Sequence, residues 1–518
     1  MITCKSSLVT DVASLDRSRW DLFDPAIAVI AAIATVFVHP VSQLLRQPYW
    51  VDEAWVADLT RAPLSRMVAV GSPTPVGFLA LAKLVPGSGE QRGRLLVLGF
   101  SVLGVLTAYV FARALEWKSR RVARFGGIAT AFVVMMAPVA LVRNDLKQYT
   151  CDAFCALAIL AIGARTDRDD LPLAWLGAAA LAAALISSTS AFVTAAMFAG
   201  LLISAVSRRQ RQRTREIAIG GAVTGALLGA YFVLVVNPKL SIGLHSYWTG
   251  YYLRGSPLDV LRTSWHRLRP VAPDLAMPAI VFVVLFLAGV YALDRLNARA
   301  IAIAMPLLWI EMVVIARLHK YPFLDLRTSQ FLLVSSLVVV AIGAVGIVRM
   351  VGADLHRLGA VGLGAVLAFS FTAGCVKYVN HTAIAEEDVR SQTEYVAAHR
   401  TSRDVILVNG SGNFGFSYYW PHGRVVLRRD NSGAGFRGRV AGVDAVYATD
   451  RTNATVEAAL REAVRRSAEP GGNGRIFIVR THLNAGELAA WRHAFADLGV
   501  HPTRLGVGRE PLLLIDSG

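Results

Sequence analysis

A polytopic α-helical membrane protein carrying a C-terminal α/β domain is the fold class this 518-residue sequence predicts, on three observations. The chain is 54% hydrophobic and only 17% charged, with a mean hydropathy of +0.48, so much of its apolar surface must face something other than water. Apolar runs long enough to cross a bilayer, about 20 residues each, recur up to residue 376 and then stop. Beyond Lys377 short β-branched runs alternate with amphipathic stretches, the pattern of a soluble α/β unit.

Taken in order, about eleven spanning helices are expected, near residues 25–44, 95–115, 124–142, 149–164, 172–188, 190–206, 217–236, 276–294, 298–316, 328–349 and 358–376. The first follows a short N-terminus, 1–24. It is long for a signal-peptide core and no small-residue cleavage pattern comes after it, so it reads as a retained anchor. Together the spans make a membrane module over 25–376.

Lys and Arg in the short loops orient the module. Arg17, Arg19, Lys118, Arg120, Arg121, Arg124, the Arg208 to Arg215 cluster, Arg295, Arg299, Arg349 and Arg357 fall on one side, which is therefore cytoplasmic, in a plasma or inner membrane. The formal net charge of +17 thus reports membrane orientation and predicts no nucleic-acid partner. An odd number of spans puts loops 45–94, 143–149, 237–275 and 317–327 outside, together with the domain 377–518. The long and aromatic loops are all external, so the chemistry is expected on the outer face.

Within the C-terminal domain, "DVILVNG", "RVVLR", "RIFIVRT" and "PLLLID" read as strands, and "TVEAALREAVRRS" and "AGELAAWRHAFADLG" as amphipathic helices. The glycines of "NGSGNFG" follow a strand, but one glycine cluster alone does not make a phosphate loop. The four cysteines, Cys4, Cys151, Cys155 and Cys375, show neither metal-ligand spacing nor a disulfide framework.

Four polar groups stand out against this apolar background. "QPYWVDEAWVADL" sets Asp52 and Glu53 just after the first span. They either serve only the dipole of a helix start or act on a lipid headgroup that the membrane surface brings to them. "LVRNDLKQYTCD" crowds Arg143, Asp145, Lys147, Tyr149 and Asp152 at the outer surface; Asp145, Tyr149 and Asp152 share a helical face. "RLHKYPFLDLRTSQF" gathers Arg317, His319, Lys320 and Arg327 outside, against the positive-inside bias, as an anion site would. Glu311 lies inside a span, where an ionisable residue is by default a functional suspect or an ion-pair partner. Carboxylates beside external cations suit chemistry on a lipid phosphate. The cations neutralise the leaving phosphate, and a carboxylate takes the proton of the attacking hydroxyl.

"WVDEAW", "SPTPVGFLALAKL", "LKQYTCD" and "YPFLDLRTSQFLL" follow one another in the order seen in bacterial GT-C fold glycosyltransferases. The chain resembles the branch that includes protein O-mannosyltransferases, lipid A aminoarabinose transferases and rhizobial lipopolysaccharide sugar transferases. The resemblance implies a GT-C fold, a polyprenyl-phosphate sugar donor, and a glycan, lipid or protein acceptor on the extracytoplasmic side. It implies Asp52 as general base, with Glu53 supporting the acceptor or a metal. Lys147 and Tyr149 match the basic and aromatic positions of the second loop, and Arg327 the basic residue beside the lipid phosphate. Where relatives often carry His or Lys before the proline of the first-loop motif, this chain has Thr74, so a phosphate contact is expected instead from Lys83, His319 or Lys320.

The aromatic loop His245 to Pro270 offers His245, Tyr247, Trp248 and Tyr251 as acceptor contacts, or as an interfacial aromatic belt. Asp52, Glu53 and Asp145 can supply oxygen ligands to a divalent cation, although nothing in their spacing requires one. A lipid or sugar transporter, and a polymerase or ligase using a diphosphate-linked donor, stay open. The absence of an internal repeat and the placement of the polar groups at helix ends weigh against a transporter.

Overall fold

The computed structural model describes residues 21–38, 46–70, 73–87, 89–136, 146–239, 242–274, 277–350, 387–469 and 474–516, with Gly359 and Gly362. Helix α1 is Phe23–Val38. Three short helices follow: α2 (Val51–Arg61), α3 (Leu64–Val70) and α4 (Val76–Leu84). The bundle then runs through α5 (Gly89–Arg113), α6 (Arg120–Met136), α7 (Tyr149–Asp167), α8 (Leu173–Ile186), α9 (Ser190–Ser207) and α10 (Arg211–Tyr231). A π-helical turn, Phe232–Val236, extends α10. Next come α11 (Ile242–Tyr247) and α12 (Pro257–Asp274), then α13 (Ala279–Arg295), α14 (Arg299–Arg317) and α15 (Gln330–Met350).

Ten of the eleven runs read as spans coincide with helices. The eleventh, 358–376, lies outside the described residues except for Gly359 and Gly362. Among the described residues, six helices are long and apolar enough to cross a membrane: α5, α7, α9, α10 with its π turn, α14 and α15. α1 and α8 are shorter apolar helices. α15 is the bundle's centre, with 78% of its apolar window buried, and α10 its rim, with 6% buried. An all-round apolar helix that stays uncovered by protein suits a face toward lipid.

α13 and α15 cross closely because each has a glycine at the crossing. A Cβ on Gly289 would fall 2.0 Å from the Val339 carbonyl oxygen, and one on Gly343 2.2 Å from that of Leu285. At one end of the bundle Arg208 reaches Asn297, Asn297 reaches Glu116, Arg213 reaches the Thr166 carbonyl and Arg168 that of Ala114. The basic loops are thus gathered together. The buried Asp24–Arg113 pair (2.8 Å), with Tyr109 donating to Asp24 at 2.6 Å, ties α1 to α5 near that end.

The opposite end carries the site and the α/β unit: α16 (Val389–His399), β1 (Val405–Val408), α17 (Gly412–Tyr419), β2 (Val425–Arg429), β3 (Phe436–Val440), β4 (Ala445–Tyr447), α18 (Asn453–Ser467), β5 (Ile476–Val479), α19 (Ala485–Asp497), β6 (Thr503–Leu505) and β7 (Leu512–Ile515). Five strands form one sheet in the order β4-β1-β5-β7-β6, with β1 parallel to β4 and β5, while β2 and β3 form a separate hairpin. β1 and β5 are fully buried apolar runs, as a sheet covered on both faces requires. Side chains Asp388, Thr452 and Asn484 cap α16, α18 and α19. The bundle's core continues without a break into Phe414, Leu427 and Phe436 of this unit.

Candidate active site

The acidic pair is split by the geometry of a helix start. Trp50 is extended and precedes α2, whose first turn holds Asp52 and Glu53. Adjacent helical residues leave the axis about 100° apart, so the two carboxylates meet different surroundings. Asp52 stays partly open and accepts a hydrogen bond from Arg327 Nη1 at 2.9 Å. Glu53 turns into the core and is 1% exposed.

Glu53 Oε1 accepts from Arg94 Nε (2.9 Å) and from the Leu146 amide (2.9 Å), and its Oε2 from Arg94 Nη2 (2.5 Å). Arg94 also donates to the carbonyls of Gln47 and Pro48. This corrects the expectation that Glu53 supports the acceptor or a metal: both its oxygens are spent on joining α2 to α5 and to the segment before α7. Of the carboxylates considered as cation ligands, Asp52 faces Arg327 and Asp145 lies outside the described residues, as does Arg143. Among the described residues no group of three or more His, Cys, Asp or Glu side chains is placed to hold a metal ion.

Arg327 is delivered by the turn before α15, where Asp325 Oδ2 accepts from the Thr328 amide (3.0 Å) and the Asp325 carbonyl from the Ser329 amide (2.8 Å). Its guanidinium lies over the Trp50 ring, 4.6 Å from the centroid, a cation–π contact that holds the fork in place without using its donors. Trp50, Asp52 and Arg327, from opposite ends of the membrane module, therefore form one cluster. Lys147 is buried with its ammonium 3.5 Å over the Trp55 ring, one turn of α2 beyond Asp52.

Tyr149 opens α7, buried within electrostatic reach of Asp52, Arg327, Asp325 and Asp152. Asp152, one turn on, is 3% exposed and faces the hydroxyls of Ser187 and Thr189, while its Oδ1 has no partner among the described residues. Tyr321 donates to the Thr328 carbonyl (3.0 Å), and burial, with Asp152 beside it, pushes its phenol well up. A neutral Tyr321 keeps its one O–H on the turn that delivers Arg327.

The aromatic loop reaches over this cluster at one point. Tyr247 is exposed, yet Asp52, Arg327 and Asp325 act on it electrostatically, and partial burial followed by the Asp52 charge raises its phenol. Tyr247, Trp248 and Tyr251 pack edge to face, at 4.7 and 5.4 Å. His245 Nδ1 meets the Tyr252 hydroxyl at 3.1 Å. His319, expected on the donor phosphate, ends α14 in the left-handed region (φ 57°) with its ring stacked on Tyr252; it props this loop. Lys320 is exposed, and its side chain makes no ion pair among the described residues. Lys83 donates to the Ala62 carbonyl (2.6 Å), and Thr74 is buried in the turn before α4. Glu311 sits half-buried on α14 without an ion-pair partner among the described residues.

Sequence reasoning missed Arg94 and Arg267. Arg267 donates to the carbonyls of Gly250, Tyr251, Tyr252 and Phe323, joining the aromatic loop to the turn that delivers Arg327. Carbonyl partners leave no trace in residue type. Arg94 stood at a span boundary, where an Arg is ordinarily a flank.

No family model and no curated protein matches the sequence. Two solved structures do match in fold. ArnT from Cupriavidus metallidurans bound to undecaprenyl phosphate superposes with a TM-score of 0.53 at 12% identity, covering 96% of this chain and 98% of that one. The apo state of the same protein gives 0.54 at 14%, covering 96% and 97%. ArnT is a lipid A aminoarabinose transferase of the GT-C fold. At these identities the likeness is one of fold, and it extends over nearly the whole length of both chains.

Proposed function

We propose that this chain is a membrane glycosyltransferase that moves a sugar from a polyprenyl-phosphate donor to a hydroxyl of a cell-envelope acceptor on the extracytoplasmic face. The observation that carries the reading is the contact of Asp52 with Arg327. A carboxylate at the end of the first span meets a guanidinium at the start of a late one, in a chain with the fold of a protein that has been seen holding undecaprenyl phosphate.

The chemistry follows from the pair. The arriving donor phosphate gives the Arg327 fork a second anion, and a guanidinium can serve phosphate and carboxylate at once. The acceptor oxygen attacks the anomeric carbon, the bond from that carbon to the phosphate oxygen breaks, and its electron pair leaves on the polyprenyl phosphate. Arg327 stabilises that charge. The proton of the acceptor hydroxyl passes to Asp52. Because Glu53 is spent on Arg94, the adjacent pair offers one carboxylate and not two, which favours a single inverting displacement over a covalent sugar intermediate.

Asp52→Asn keeps the size of the group and removes the proton acceptor. Single-turnover transfer at saturating donor, in protein with an unchanged melting profile, should slow by roughly 10²–10⁴-fold with donor affinity nearly unchanged. Transfer at the wild-type rate would return Asp52 to the role of a helix-start charge.

A further inference from the structure

We infer that the C-terminal α/β unit completes this site through a Glu387–His482 pair that positions the helix start bearing Asp52. The inference rests on the reading of Asp52 as the base. Glu387, just before α16, accepts a hydrogen bond at Oε2 from the Val51 amide at 2.8 Å. Val51 is the first residue of α2, and its amide is one of those a helix start leaves without an intrahelical partner. The other oxygen, Oε1, receives His482 Nδ1 at 2.5 Å. One carboxylate thus joins the residue before Asp52 to the end of strand β5.

The arrangement reads as built for this contact. His482 follows β5 in the left-handed region (φ 54°), an unfavourable conformation for a non-glycine residue. It directs the imidazole to Glu387 and packs it against Trp50, with centroids 6.3 Å apart. Trp50 in turn carries Arg327 on its ring. The pair therefore touches both halves of the Asp52–Arg327 contact, Asp52 through the Val51 backbone and Arg327 through Trp50.

The rest of the interface fixes the unit where this can happen. The Tyr49 amide donates to the Tyr419 hydroxyl (2.6 Å), which donates to Glu90 (2.9 Å), and Arg390 pairs with Glu90 (2.8 Å). Ser417 donates to the buried Asp58, and Arg61 to the Tyr418 carbonyl. The contacts of Tyr49, Asp58 and Arg61 fall on α2 or its immediate flanks, and those of Glu90 on the start of α5.

The charges around His482 set the sign of the pH response. Glu387, first by its hydrogen bond, and Asp52 favour the imidazolium, while burial and Arg451 oppose it; Glu510 accepts from the His482 amide. The net effect holds the imidazole above its ordinary value. The imidazolium of the pair is therefore held below the raised value and is lost as pH rises through it.

The test uses the full chain in lipid nanodiscs. Glu387→Ala should lower kcat by about 10–100-fold, the scale of a small misplacement of a reacting group, with the KM for the lipid donor within about twofold. The Val51 amide should exchange its hydrogen faster. Glu387→Gln still accepts from Val51 and should recover much of kcat. The wild type should lose kcat on the alkaline side, and His482→Gln should remove that fall. A wild-type kcat and pH profile in Glu387→Ala, or loss of donor affinity and melting temperature along with kcat, would overturn the inference. Asp52→Asn run in parallel separates the two readings: if it stays inactive while Glu387→Ala is unaffected, only the positioning role fails. The exchange rate at Val51 reports the clamp independently of catalysis.

Discussion

At the residue scale, Arg327 carries two loads, the Asp52 carboxylate and, by our reading, the donor phosphate. Arg327→Ala should weaken donor binding and turnover together, and Arg327→Lys should restore only part, because an ammonium cannot present a planar fork to two anions. Donor titration of the two variants against wild type checks this, and unchanged affinity in Arg327→Ala would remove Arg327 from the phosphate. Asp52 and Arg327 were legible in the sequence because each is a charge where the chain otherwise avoids charge. Glu53 was misread for the same reason: adjacency to Asp52 suggested a shared task, but the helical turn sends the two carboxylates to different neighbours, and the neighbour that decides, Arg94, is 41 residues away.

At the element scale, α2 is held on every side, and two of its carboxylates do the holding. Replacing Glu53 by Gln takes the buried Glu53 charge away from the buried Arg94 guanidinium. Breaking one partner of such a pair costs about 3–5 kcal/mol, so Glu53→Gln should lower the melting temperature far more than any change at exposed Lys320, and its activity should fall with stability. Asp58 behaves differently. It is fully buried against Ser417 and its carboxyl is pushed well above the usual range by desolvation. The folded chain thus holds a proton that the unfolded chain releases, so stability is full at acid pH and is lost as pH rises toward the raised value. Asp58→Asn removes that titration, and thermal melts from about pH 5 to about pH 9 should show wild type losing ground to the variant; parallel pH profiles would contradict it. A Cβ on Gly438 would fall 2.3 Å from Asp58 Oδ2, so this part of α2 and the β2–β3 hairpin approach as closely as glycine permits. The positions of the long apolar helices and of four of the seven strands among the described residues were legible from period and length. The contacts between them were not, because an interface made of Tyr419, Arg390 and Glu387 looks in sequence like any solvated surface.

At the scale of the whole molecule, the basic loops gather at one end and the Asp52 cluster, the aromatic loop and the α/β unit at the other, which is what action on the far side of the membrane from the ribosome requires. Cysteines placed at exposed Ser246 and Ala489 should react with an impermeant maleimide in intact cells, and one at Gln212 only after permeabilisation; the reverse pattern would invert the topology. The reaction proposed is sugar transfer from a lipid monophosphate. It is tested most directly by purified chain in nanodiscs given polyprenyl monophosphate and polyprenyl diphosphate sugars, labelled in the sugar, with envelope extract as acceptor. Label should leave only the monophosphate donor, free polyprenyl phosphate should appear in equal amount, and Asp52→Asn should slow both by roughly 10²–10⁴-fold. Transfer from the diphosphate donor only, or labelled lipid crossing the bilayer intact with no sugar released, would contradict it.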